Sequence, residues 1–182
     1  MDRREVLAMG PRARAVFSFP NPVNEVAARV VAGGVVVLCV LAMALRQQWL
    51  LVPLAYGFWA RTLAGPTLSP LGQLATRIVV PRIPFRPRPV AGPPKRFAQA
   101  MGVVFSSAAV VLWFGADAHG AALVMVGLLA TAALLESALG LCLGCKAFAA
   151  LMRMGLVPDT VCAACADVSV RLPELRREPA GI

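Results

Sequence analysis

The stretch AALVMVGLLATAALLESALGLCLGCK, residues 121–146, decides how the chain is read. Its apolar residues run on for roughly the twenty positions that a helix needs to cross a hydrocarbon core about 30 Å thick. Glu136 is the only ionisable side chain before the cysteines. An amphipathic helix of a soluble protein would show a polar stripe, and none is present. The run ends in a C-x-x-C pair, Cys142 and Cys145. A second pair, Cys162 and Cys165, follows after sixteen residues.

Working outward, the whole chain has the same character. Of its 182 residues, 59% are hydrophobic and 15% charged, with a mean hydropathy of +0.73. A soluble domain of this size has too little core to hide so much apolar side chain. Two other long runs, residues 26–45 and 97–116, match the first in length, and a shorter one, residues 49–64, holds Pro53 and Arg61. The expected fold is all-α: an integral membrane four-helix bundle of two helical hairpins, written as an internal repeat, with a short interfacial helix and a cysteine-bearing tail. In order, this gives a basic tail (1–23), a first hairpin (24–68), an interfacial helix and Pro/Arg-rich linker (69–96), a second hairpin ending in C-L-G-C (97–148) and a tail with C-A-A-C (149–182). The six prolines of residues 81–94 predict extended, polyproline-like chain there.

Net charge is +9, and the basic residues flank the apolar runs. That placement fits anionic headgroups and sets topology. No stacking aromatics are interleaved with the basic residues, which argues against nucleic acid. The N-tail carries four basic residues, the region 77–96 six and the C-terminal part five, against Arg46 alone in the two opposite turns. The multi-pass chain is therefore expected in the plasma membrane with both termini, the linker and both cysteine pairs in the cytoplasm. The first apolar run begins too far in for a cleavable signal.

The two cysteine pairs have the spacing of a four-thiolate site for zinc or another thiophilic metal, with Cys142, Cys145, Cys162 and Cys165 as ligands. The same thiols suit dithiol chemistry with a soluble thiol or sulfur carrier, with Cys142 and Cys145 then catalytic. Read as the C-terminal end of the last spanning helix, the first pair faces a dipole that disfavours a thiolate. On that reading metal binding ranks above redox, with simple packing last. Cys39, alone in the first run, is expected to pack. Arg61 and Glu136 lie at similar depths inside apolar runs and are expected to pair across the bundle, as a helix lock or an ion relay. Gly140 and Gly144 form a G-x-x-x-G pair that lets another helix approach closely, and a homo-oligomer is compatible with it. A small transporter and a purely structural membrane subunit are the remaining readings.

The residues Pro94-Lys95-Arg96-Phe97-Ala98-Gln99, the span after them, and Gly140-Leu141-Cys142-Leu143-Gly144-Cys145 resemble the bacterial membrane family known as domain of unknown function DUF4395. Val79-Val80-Pro81-Arg82 and the Cys162/Cys165 pair follow the same pattern. The resemblance covers residues 21–165 and is most specific at Cys-Leu-Gly-Cys. It implies a small multi-span membrane protein of actinobacteria and their relatives, encoded at times near thiol-redox or sulfur-transfer genes.

Overall fold

A computed structural model of the protein describes residues 23–83 and 89–157. Within them the chain is a helical bundle with one two-residue β-pairing. Helix α1 spans Glu25–Ala44. The Asn24 side chain accepts a hydrogen bond from the Val26 amide at 3.0 Å, and Glu25 sits in the first turn, where the dipole favours an acid. A 3₁₀ turn at Gln48–Leu50 leads into α2, Leu51–Ala64. Helix α3, Pro70–Gln73, starts with Pro70 in its first turn and Ser69 as its cap. It continues as a π-helical turn, Leu74–Val79, and a 3₁₀ turn, Val80–Arg82. Helices α4 (Gly92–Phe114), α5 (His119–Leu139) and α6 (Leu143–Arg153) complete the bundle.

Among the described residues three helices, α1, α4 and α5, are long and apolar enough to cross a membrane. In each the most apolar window is at most 33% buried, so a large part of its apolar surface is left uncovered by protein. Val37, Val40, Val104, Val111, Val124 and Leu134 are among those exposed. Exposed apolar faces on helices this long are the mark of lipid as solvent. The fourth run is a 14-residue helix, which at about 1.5 Å per residue reaches only about 21 Å.

The core is formed by Val35, Cys39 and Ala42 of α1, Leu51, Leu54 and Phe58 of α2, Val103 and Ala109 of α4, and Val126, Leu129 and Ala133 of α5. Cys39 is fully buried there and packs as a small apolar residue. Strand β1 (Val23–Asn24) pairs antiparallel with β2 (Pro89–Val90). This brings the starts of α1 and α4 together, and the turns after them, with Arg46 and Asp117–His119, follow at the opposite end.

Three expectations are corrected. Helix α4 begins at Gly92, not at residue 97. Pro93 and Pro94 fall in its first turn, where amide donors have no intrahelical partner and proline is tolerated. Residues 84–88 of the expected linker lie outside the described residues. The two hairpins do not pack alike: α4 lies along α5, whereas α1 packs chiefly on α5, α2 chiefly on α4, and α1 and α2 meet little. Finally, the cysteine motif does not end the last spanning helix. Gly140, at φ +69°, stops α5, and a separate helix begins at Leu143.

Candidate functional site

The break after α5 creates the site. The Gly140 amide donates to the Glu136 carbonyl at 3.0 Å and the Leu141 amide to the Leu135 carbonyl at 3.1 Å. The α5 carbonyls of Ser137 and Ala138 accept from Arg29 Nε at 3.1 Å and Nη2 at 2.8 Å. A cation at a helix C-terminus also complements the dipole. With α5 closed off, the chain turns and Cys142 becomes the residue that opens α6, in extended conformation at φ −83°, ψ 104°.

Cys142 therefore stands at the positive end of a helix dipole, the reverse of the sequence expectation. Its thiol is held below the ordinary value, first by the hydrogen bond it accepts from the Cys145 thiol. Burial and Glu136 oppose this, while Lys95 and the Cys145 backbone amide act in the same direction as the hydrogen bond. The Cys145 thiol is pushed well up, because it donates that hydrogen bond and is itself partly desolvated. The pair is thus split into an acidic and a basic sulfur. Cys142 is buried and Cys145 half-buried, and both are free thiols.

Helix α6 is seated on α4. A Cβ on Gly144 would come within 2.6 Å of Ala98 Cα, so only glycine permits this approach. Phe148, buried, stacks tilted on Phe97 with centroids 5.6 Å apart. These two contacts fix the cysteine pair against the start of α4.

Behind the thiols lie the buried charges. Glu136 is paired with Lys95 at 2.5 Å. Arg61 is 5% exposed; its Nε donates to Gln99 Oε1 at 3.0 Å, its Nη1 donates to Ser69 Oγ at 3.2 Å, and its guanidinium lies over the Phe58 ring at 4.5 Å. The expected direct Arg61–Glu136 pair is thus replaced. The two charges remain within electrostatic reach, but the early start of α4 brings Lys95 to Glu136 first. Lys95, Gln99 and Ser69 are not among the site residues expected from the sequence, Lys95 because it falls at the end of the expected linker, 69–96. A helix start at the Pro93–Pro94 pair would have put it one turn inside α4.

Arg61, Glu136 and Cys142 share the wall of one cavity of about 320 Å³, otherwise lined mostly by apolar side chains of α1, α2, α4, α5 and α6. Among the described residues no group of three or more potential metal ligands is assembled. Cys162 and Cys165 lie outside the described residues.

No curated protein and no solved structure matches the chain. The model of the domain of unknown function DUF4395 matches residues 23–153, which takes in β1, all six helices and the Cys142–Cys145 pair, and the chain belongs to that family.

Proposed function

We propose that Cys142 and Cys145 form a membrane-associated dithiol that exchanges disulfides with a soluble thiol carrier. The observation that carries this is the position of Cys142 at the start of α6, hydrogen-bonded by Cys145. Exposure and acidity assign the two sulfurs different parts. In the oxidised form, a carrier thiolate attacks Sγ of Cys145, the more accessible sulfur. The Cys142–Cys145 bond breaks, and Cys142 leaves as the more acidic thiolate, which departs faster. A second carrier thiol then attacks the carrier sulfur of the mixed disulfide and releases Cys145. The carrier has lost two electrons, the protein pair has gained them, and the two thiol protons end on Cys142 and Cys145. The same steps in reverse oxidise the pair: accessibility, not acidity, then makes Cys145 the attacking sulfur, which gives up its proton as it attacks, and the potential of the carrier sets the direction.

The charge pattern supports a topology for this chemistry. The bundle end that holds Arg29, Lys95, Arg96 and the cysteines is the basic end, and basic ends face the cytoplasm. On this reading the chain lies in the plasma membrane with both termini inside and α2 as a short fourth crossing. Equilibration of the purified protein in glutathione buffers of graded potential, followed by alkylation and mass measurement, tests the exchange. An internal Cys142–Cys145 disulfide should form over a narrow potential window. Two thiols that stay reduced throughout would overturn the proposal.

A second reading is carried by the other pair: the spacing of Cys162 and Cys165 from Cys142 and Cys145 is that of a tetrahedral zinc site. It requires a metal that resists dialysis, at about one ion per chain, and that is lost with any of the four cysteines. Metal analysis of protein purified without chelator separates the two readings.

A further inference from the structure

The cavity is more than the back wall of the thiol pair. Its polar groups gather at one end, and one of them is unfinished. Arg61 spends Nε and Nη1 on Gln99 and Ser69, but its Nη2 is buried without a hydrogen-bond partner. Glu136, the carboxylic side chain on the wall, is already held by Lys95 at 2.5 Å. An unpartnered guanidinium nitrogen in an apolar site is costly and is almost always met by an acceptor. Apart from Gln99 and the Cys142 thiol, the rest of the wall, including Val31, Val35, Leu129 and Ala132, offers apolar contact.

The mouth also has a direction. Met101 of α4, Leu128 of α5 and Leu143 of α6 line the cavity and are at the same time exposed on the outside of the bundle. The opening thus lies between α4 and α5 beside α6, on faces apolar enough to meet acyl chains. At about 320 Å³ the space is at the lower end of the range of about 300–1,000 Å³ for small-molecule sites, which suits one chain and not a two-chain lipid.

We propose that this cavity is a binding site for a single-chain anionic amphiphile, a long-chain carboxylate, whose head is held at the Arg61 guanidinium and whose tail lies along α1 and α5 toward the mouth. It does not depend on the redox reading of the cysteines.

Palmitate binding to the full chain in detergent, read by native mass spectrometry and by titration, tests it. Hexadecanol and phosphatidylglycerol serve as comparators, and Arg61→Met and Ala132→Phe as variants. The expected result is one palmitate per chain, binding at least about tenfold more tightly than hexadecanol, as a charged hydrogen bond implies. Ala132→Phe, which adds a ring to the α5 wall of the cavity and leaves the Arg61 side chain unchanged, should abolish binding while helicity is kept. If Arg61→Met folds, it should erase the preference for palmitate over hexadecanol; if it does not fold, the comparison of ligands and Ala132→Phe decide. Equal binding of hexadecanol, undiminished binding to Ala132→Phe, or displacement of palmitate by equimolar phosphatidylglycerol would each overturn the proposal.

Discussion

At the scale of single residues, the largest contribution to the acid–base split of the two thiols is one hydrogen bond. Removing the donor by Cys145→Ala should raise the Cys142 value, since the largest influence lowering it is lost. Cys145→Ser keeps a donor and should raise it less. Thiolate absorbance followed against pH reads this directly: in Cys145→Ser, Cys142 ionises at lower pH than in Cys145→Ala. Coincident curves for the two variants would mean that the hydrogen bond does not act. Lys95 gives a second prediction. Lys95→Met leaves Glu136 without its partner, and with both side chains mostly buried it should destabilise by about 2–3 kcal/mol, somewhat under the value for a fully buried pair. It should also move Cys142 upward, because Lys95 favours its thiolate. Glu136→Gln in the Lys95→Met background should recover part of the lost stability, as measured by thermal unfolding in detergent. The ionisable residues were legible one by one, since Arg61 and Glu136 stand out inside apolar runs. Their partners were not, because a pairing 41 residues apart depends on where α4 starts.

At the scale of elements, the decisive feature is the break between α5 and α6. The sequence carried its signal, a glycine just past an apolar run, which is the ordinary mark of a helix end. Continuous hydrophobicity through Leu141 and Leu143 concealed it, because hydropathy measures burial or lipid contact and is blind to backbone direction. Gly140→Ala places a side chain at φ +69° and should cost about 1 kcal/mol. Gly144→Ala should cost more, about 1–3 kcal/mol by overpacking, because its Cβ meets Ala98 backbone. Ala98→Gly should rescue it only weakly, since the Ala98 Cα itself lies at 2.6 Å from the added atom. Faster alkylation of Cys145 in Gly144→Ala, with α6 lifted from α4, is the corresponding readout. An unchanged rate would show that α6 does not hold the pair in place.

At the scale of the whole molecule, composition and the long apolar runs point to a mostly helical chain with helices of membrane length, and three of the four expected spans are that long among the described residues; the fourth, α2, has 14 residues. Which helices touch was not legible. Hydropathy gives each helix its length but says little about which apolar face meets protein and which meets lipid, since both are equally apolar. The bundle that results has a basic end with the thiols and an opposite end with Arg46, Asp117 and His119. Membrane-impermeant labels should therefore reach cysteines introduced at Gln47 and His119 from outside the cell; labelling of these positions only from the cytoplasmic side would reverse the proposed topology. On the dithiol reading proposed above, Cys145, at the basic end beside the cavity, receives a carrier sulfur and Cys142 resolves the mixed disulfide. The most direct measurement is the reaction of Cys142→Ser and Cys145→Ser proteins with oxidised glutathione, followed by intact mass. Cys142→Ser should accumulate a stable mixed disulfide on Cys145, because its resolving sulfur is gone, while Cys145→Ser, with only the buried Cys142, should react far more slowly and the wild-type pair should pass on to an internal disulfide. Equal trapping on both variants, or a wild-type protein that never closes its internal disulfide, would contradict it.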